Sequence, residues 1–397
     1  MKRHLPCSIL AASLLLSGCG IDKDAAPNYV SGKIQILYDR DAVAEREEAS
    51  VYSGAYYQAQ LVPLQEHLLR GQTSEPEQNA FGRAFYMEDP ESGMIEHLII
   101  YDIGSEAGVY GGFTYGISPQ QDSASGKLKS YQDVAMPRPG HPDTTGQIYD
   151  YDTTEDFSRQ ADLDFLTMDE AAETFQALAE DCGLPAIQRD EIYALDADTM
   201  QKHSDLAADT TQEQNGLDEA PVTWEKADEA YLLQFVQVVD GIPLMDHMWC
   251  TDLASRNAGI LETTVYGVLS GDGLISFYAC GAVSLKEELE RQPLLSAREA
   301  ENLFLAKYDD GTRLSDLYAD SLSLEYVIQL DGDGLLLVPA WVFCISQDKL
   351  AEDLVSGESA SIKEYDHYVI NAATGNEIKS GILTDVSGDS PETEALP

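Results

Sequence analysis

The sequence has few basic residues for its length. Lysine and arginine number 24, against 70 aspartate and glutamate residues among 397, and the formal net charge is −46 at pH 7. A surface of this charge repels nucleic acid and anionic lipid headgroups, because both carry dense negative charge. We therefore exclude nucleic acid as a partner. With 44% hydrophobic residues the chain can bury a large core, so the acidity belongs to its surface.

Catalytic and metal-binding motifs are also lacking. The sequence contains no nucleophile elbow, P-loop, dinucleotide fingerprint or H-E-x-x-H pair. No two cysteines form a C-x-x-C pair, and the cysteine spacings match no zinc pattern. We expect no catalytic residue, no metal and no cofactor, and therefore a protein that is not an enzyme. The alternative is an envelope hydrolase with an unrecognised site, which several carboxylates with a histidine in one deep pocket would favour.

No apolar run reaches the length of about 20 residues that a membrane-spanning helix needs. The first residues instead combine Lys2 and Arg3 with an uncharged, largely apolar stretch from Ile9 to Leu16, the pattern of a secretory signal. Leu16-Ser17-Gly18-Cys19 follows and resembles the lipobox of bacterial lipoproteins. This resemblance implies that Cys19 is acylated and anchors the protein to the extracytoplasmic face of the cell membrane. A chance cysteine after an ordinary signal is the alternative.

Four cysteines are left once Cys7 leaves with the signal and Cys19 takes the lipid: Cys182, Cys250, Cys280 and Cys344. An exported chain with an even number of cysteines can form disulfides. The candidate pair is Cys250 and Cys280, because both lie at the ends of neighbouring predicted strands. Alternatively, all four are small buried hydrophobic residues.

A repeat organises the second half of the chain. Leu166–Ala171 recurs as Leu295–Ala300, and in each copy a hydroxyl residue, Thr167 or Ser296, stands three residues before a glutamate. This spacing predicts a capping box, in which hydroxyl and carboxylate satisfy free backbone N–H groups at a helix start. Predicted antiparallel strands with glycine-containing turns follow each predicted helix. The order predicts an α+β fold and argues against the alternation of a doubly wound sheet.

The strand segments of the repeat carry a family resemblance. In the first copy a predicted strand ends in Gly241-Ile242-Pro243-Leu244, and in the second Val338-Pro339-Ala340-Trp341 leads to Tyr368–Gly375. These residues resemble the PepSY and protease-propeptide group of domains, and the second copy is similar to units of the YycH and YycI envelope regulators. The resemblance spans about residues 160–384. It implies a helix on a curved antiparallel sheet that acts, without catalysis, by contact with a protein such as a protease or sensor kinase.

The predicted architecture is therefore α+β, with two tandem helix-on-antiparallel-sheet units preceded by a small strand-rich N-terminal domain. Hairpin and turn signals place several strands in the N-terminal part, and a proline-rich stretch separates it from the repeat. The predicted segments are a signal peptide (1–18), a tether (19–31), the N-terminal domain (32–120), a linker (121–160), the two units (161–284 and 285–384) and a disordered tail (385–397).

The leading functional hypothesis is a lipid-anchored, non-catalytic interaction or regulatory module whose partner is an unidentified envelope protein. Trp224, in an acidic loop, is a candidate contact with that partner, and packing of the loop is the alternative.

Asp246-His247 and Asp366-His367 occupy corresponding strand edges, where an aspartate can orient a histidine. Two further alternatives are a solute-binding lipoprotein of a transporter and a weak role in binding divalent cations or a basic partner. No oligomeric state is predicted.

Overall fold

The protein is described by a computed structural model. The described residues are 33–69, 75–78, 82–89, 94–102, 111–119, 156–204, 222–245, 265–309, 316–331, 334–352 and 359–378. The predicted signal peptide, tether and tail, including Cys19, lie outside these residues.

Two large sheets contain most of the described chain. Their strands are β1 (Ile34–Ile36), β2 (Glu48–Tyr56), β3 (Glu77–Gln78), β4 (Gly82–Asp89), β5 (Met94–Tyr101), β6 (Gly112–Pro119), β7 (Ile187–Leu195), β8 (Ala230–Val239), β9 (Ile242–Pro243), β10 (Val265–Ser270), β11 (Gly273–Cys280), β12 (Val283–Pro293), β13 (Leu317–Asp331), β14 (Gly334–Glu352) and β15 (Ser359–Asn371). The helices in the described residues are α1 (Leu61–His67), α2 (Met168–Asp181), α3 (197–204) and α4 (Ala297–Asp309). Among them, none is long and apolar enough to cross a membrane.

The nine-stranded sheet has the order β3-β4-β5-β6-β11-β10-β8-β7, with β9 paired to β8. All of its named pairs are antiparallel. Helix α2 packs on one face through Phe175, whose ring lies 4.7 Å from that of Phe277 and 5.4 Å from that of Phe235. Gly267 of β10 permits this approach, because a Cβ atom there would lie 2.3 Å from Phe175 Cε2. The glycine and the aromatic ring together set the depth at which the helix sits on the sheet.

The six-stranded sheet has the order β1-β13-β14-β2-β12, and β15 pairs with β14. Strand β14 is long enough for one of its edges to pair with β2 over Leu335–Leu337 and then with β15 from Ala340 onward. Helix α4 covers this sheet, and the Phe304 ring stacks on that of Phe343 at 4.6 Å. The short strand β1 runs parallel to β13 and closes one edge. Both helices thus bury an aromatic residue against mainly antiparallel strands.

The predicted fold class is wrong. The protein is mostly β-sheet, and its two large sheets are not tandem α+β units with a separate N-terminal domain. Residues 32–120 are divided between both sheets, because β1 and β2 pair with strands from the last third of the chain, while β6 pairs with β11. Unpaired strand edges bind whichever complementary edge the whole fold provides, so local patterning does not reveal such distant partners.

The local predictions from the repeat and from the turn signals are confirmed. Thr167 caps α2 in a complete capping box with Glu170. Ser296 does the same for α4, since its backbone N–H and hydroxyl both lie 2.8–2.9 Å from the Glu299 carboxylate and the Glu299 backbone N–H donates to its Oγ. The predicted hairpins β4–β5, β10–β11 and β13–β14 also form. These features depend on residues close together in the chain.

The two sheets are joined where the chain passes from β11 to β12. The buried Gln237 side chain of β8 donates from Nε2 to the Val283 carbonyl at 2.7 Å and accepts from the Val283 backbone N–H at 2.8 Å. The preceding residue, Ala282, accepts from the backbone N–H of Tyr57. A residue of the nine-stranded sheet therefore holds both backbone groups of the first residue of β12.

Candidate functional site

A cleft with a volume of about 450 Å³ opens beside the start of α4. One wall is the segment 38–45 that follows β1, the other is the first turns of α4 over residues 297–302, and Leu322 of β13 also lines it. This volume falls within the range of sites that hold small molecules or peptide segments, about 300–1,000 Å³. The cleft is the candidate functional site.

Local hydrogen bonds position both walls. Asp39 caps a short 3₁₀ turn over Arg40–Ala42 by accepting from the Asp41 backbone N–H at 3.0 Å. The Ser296 cap begins α4, and the free N–H of Ala297 donates to Glu45 Oε1 at 2.9 Å. The side chain of Glu45 therefore ties the first wall to the second.

Tyr38, Arg40 and Glu301 line the cleft and form a hydrogen-bonded cluster. Arg40 donates from Nε to Glu301 Oε2 at 2.6 Å and from Nη2 to Oε1 at 3.0 Å, a bidentate pairing. The Tyr38 hydroxyl donates to the same Oε2 at 2.9 Å. The Glu301 side chain is only 12% exposed, whereas the Arg40 side chain is 60% exposed. The carboxylate is thus buried and satisfied, and the guanidinium covers it on the solvent side.

The cluster moves the pKa of each member away from neutrality. The hydrogen bond from Arg40 is the main cause that lowers the pKa of Glu301, and it outweighs the opposite effect of burial. Burial, followed by the hydrogen bond to Glu301, raises the pKa of Tyr38 well above its usual range. The hydrogen bond to Glu301 also raises the pKa of Arg40. At neutral pH the three groups therefore keep fixed protonation states.

The rest of the lining combines charged side chains with apolar ones. Arg298 and Asn302 lie one helical turn apart on α4, and the positive charge of Arg298 contributes to the lowered pKa of Glu301. Asp41 and Glu45 line the opposite wall, while Val43, Ala297 and Leu322 supply apolar surface.

The lining contains carboxylates without a histidine, so it does not match the pocket that the hydrolase hypothesis requires. Among the described residues, no group of His, Cys, Asp and Glu side chains is arranged to hold a metal ion.

Of the two cysteines predicted to form a disulfide, the described part of the chain contains Cys280. Cys250 lies outside the described residues, as do Asp246 and His247. Cys280, at the end of β11, is 4% exposed, and its Sγ lies 3.7 Å from the carbonyl oxygen of Phe113. The Cys250–Cys280 pairing stays a prediction.

Trp224, the predicted partner contact, lies in the core. It is 7% exposed, its Nε1 donates to Ser204 Oγ at 2.7 Å, and its backbone N–H donates to Gln201 Oε1 at 2.9 Å. These bonds join the loop to α3 on the face of the nine-stranded sheet opposite α2. The burial of Trp224 therefore favours packing of the loop over contact with a partner.

Asp366 and His367 lie on β15, opposite Ile345 and Cys344 of β14. The backbone N–H of His367 donates to Asp366 Oδ1 at 2.7 Å. This bond uses the backbone of His367, and the two residues lie outside the cleft lining.

Sequence reasoning missed Tyr38, Arg40 and Glu301. The Arg40–Glu301 hydrogen bonds join residues 261 positions apart, and the repeat marked Ser296 and Glu299 but not the glutamate two residues further on. The parallel pairing of β1 with β13 helps to bring the first wall to α4. Sequence periodicity carries no signal for that pairing.

Comparisons with known proteins concern the fold. No protein-family model matches the chain, and no curated protein matches it. A solved structure with a similar fold is that of an uncharacterized protein from Eubacterium rectale, with a TM-score of 0.53 and 15% sequence identity. The match covers 88% of this chain and 89% of that chain. At this identity the likeness shows a shared fold, and this fold extends over nearly the whole length of both proteins.

Proposed function

We propose that the protein is a lipid-anchored, non-catalytic interaction module on the extracytoplasmic face of the cell membrane. The cleft beside α4 is the site at which an envelope protein binds. The main support for this proposal is the Tyr38–Arg40–Glu301 cluster. Its three ionisable groups are hydrogen-bonded to one another.

The ionisable groups of the cluster are poorly suited to proton transfer. A general acid or base works best when its pKa lies near the working pH. In the cluster, the pKa of the only carboxyl is lowered, and those of the phenol and the guanidinium are raised. A rigid, charged wall with fixed protonation is suited to recognition, since it presents the same hydrogen-bonding groups over a wide pH range.

The anchor rests on the lipobox resemblance at Leu16–Cys19. The acidic surface would repel anionic lipid, so attachment needs the acyl chains. Cys19→Ala should release the protein from membranes, and continued membrane retention would contradict the anchor.

The resemblance of residues 160–384 to PepSY-like domains stays a prediction. It also supports the proposed function, since it implies a protein partner.

A solute-binding lipoprotein is the second candidate from the sequence. It should have two α/β lobes in which strands and helices alternate around a cleft. The described sheets are built mainly from antiparallel strands, and the cleft is formed by one helix, one turn and one sheet. The geometry therefore favours the interaction module.

Chemical cross-linking on native membranes tests the proposal. The protein and its Glu301→Gln variant are each cross-linked and purified, and the co-purified proteins are quantified by mass spectrometry. Glu301→Gln removes the charge that holds the Arg40 guanidinium and the Tyr38 hydroxyl in the cleft wall, and it is therefore expected to reduce recovery of the bound protein by about tenfold. Arg189→Gln is the matched control, because it breaks a 2.7 Å ion pair with Asp169 outside the cleft.

Equal recovery from the wild type and Glu301→Gln would show that the Tyr38–Arg40–Glu301 cluster does not contribute to binding. Absence of any protein partner, together with measurable turnover of a substrate, would overturn the proposed function. Thermal unfolding of both variants establishes that they are folded at the temperature of the experiment.

A further inference from the structure

Two of the charged side chains that line the cleft lie on opposite walls. Arg298 is on the α4 wall and Asp41 is on the 3₁₀-turn wall. Within the described residues, neither side chain forms a hydrogen bond or an ion pair. The Arg40 and Glu301 charges, by contrast, neutralise each other. The α4 wall therefore presents the positive charge of Arg298, and the opposite wall presents the negative charges of Asp41 and Glu45.

The remaining polar groups follow the same division. The Asn302 amide lies one turn beyond Arg298 and adds donors to the positive wall. On the negative wall, Glu45 has committed Oε1 to the Ala297 N–H and keeps Oε2. Val43 and Leu322 add apolar surface to the lining. A ligand that satisfies this lining carries a carboxylate, a cationic group and an apolar group within a few residues.

We infer that the cleft binds the C-terminal segment of the partner protein, with a terminal carboxylate on Arg298 and Asn302, a basic side chain on Asp41, and an apolar side chain against Val43 and Leu322. This inference rests on the proposed function of the cleft. A chain terminus fits because its carboxylate and last side chain share one Cα atom. The carboxylate can then reach the donor wall while the last side chain contacts apolar surface.

A purely anionic or purely cationic ligand fits less well. The lining holds two arginines and three carboxylates, so a segment with a carboxylate alone would meet Asp41 and Glu45 without compensation. A segment with a cation alone would place that cation in the same cleft as the Arg298 guanidinium, which has the same charge and would lack a carboxylate partner. A guanidinium prefers a planar carboxylate, to which it can donate two parallel hydrogen bonds.

Three dipeptide probes separate these contributions. The first is N-acetyl-lysyl-leucine with a free carboxylate. The second is its C-terminal amide, which lacks the carboxylate, and the third is N-acetyl-norleucyl-leucine, which lacks the ammonium group. Binding to the full-length protein in detergent micelles is measured by isothermal titration calorimetry. Wild-type protein should bind the first probe about three- to fivefold more tightly than either of the others, the strength of a partly exposed ion pair.

Two variants assign the walls. Arg298→Gln should bind the free acid and the amide equally but still prefer lysine over norleucine. Asp41→Asn should show the reverse pattern, and Arg189→Gln, outside the cleft, should behave as wild type. The inference is overturned if wild type binds none of the probes, or if discrimination by the carboxylate survives Arg298→Gln. Should the probes fail while the membrane partner still depends on Glu301, the proposed function stands and only this ligand chemistry is wrong.

Discussion

Replacing Gln237 with leucine should lower the free energy of unfolding by about 3 kcal/mol. The amide makes two hydrogen bonds to the backbone of Val283, at 2.7 and 2.8 Å, and Gln237 is 2% exposed. Leucine would leave a buried N–H and a buried carbonyl without a partner, at about 1–3 kcal/mol each. The added apolar side chain recovers about 1–2 kcal/mol of this loss. The effect is large because both hydrogen bonds to Val283 come from one buried side chain.

Urea denaturation of the full chain, followed by circular dichroism, measures this difference. Gln188→Leu is the control, since Gln188 is an exposed glutamine on β7 of the same sheet. The control should change stability by no more than about 0.5 kcal/mol. A loss below about 1 kcal/mol in Gln237→Leu, or equal effects in the two variants, would refute the role of Gln237 in joining the sheets.

Three further predictions concern packing, acid stability and thiol chemistry. Gly267→Ala should lower stability by about 1–3 kcal/mol in thermal unfolding, since its Cβ would overlap Phe175, whereas at Gly271 the nearest atom to an added Cβ is 3.5 Å away and Gly271→Ala should be tolerated. Glu301 has a lowered pKa, chiefly through Arg40, so its charge stabilises the fold above the usual glutamate range and this contribution is lost as the pH falls through the lowered value. The difference in stability between wild type and Glu301→Gln, measured at pH intervals of about 0.5, should therefore shrink as the pH falls below the ordinary glutamate pKa of about 4.3, and a constant difference would contradict this. Burial raises the pKa of Cys182 to about 12, so iodoacetamide at pH 8 should label it in urea but not in the native protein, as mass spectrometry would show.

The features that sequence reasoning predicted are local. Thr167 and Ser296 begin helices because each capping box lies within one turn, and Gly-containing hairpins form because their strands are adjacent in the chain. The helical spacing of Phe175 likewise placed it on a buried face. Each of these depends on interactions that a short window of sequence contains.

The features that it missed are long-range. Ile34 pairs with Leu317, and β2 pairs with β12, so the N-terminal strands complete sheets whose other strands come much later. The α+β prediction treated each helix and its following strands as a closed unit and left these edges without partners. The cleft depends on the same long-range pairing, and its central residues carry no distinguishing local pattern.

Site-specific photo-cross-linking on native membranes tests most directly whether the cleft is a partner-binding site. A photoreactive amino acid is placed at Asn302, which lines the cleft, and in a second protein at Gln188, an exposed position on the other sheet. The account predicts a discrete protein adduct from position 302 that is absent from position 188. No adduct from position 302, or the same adducts from both positions, would contradict it.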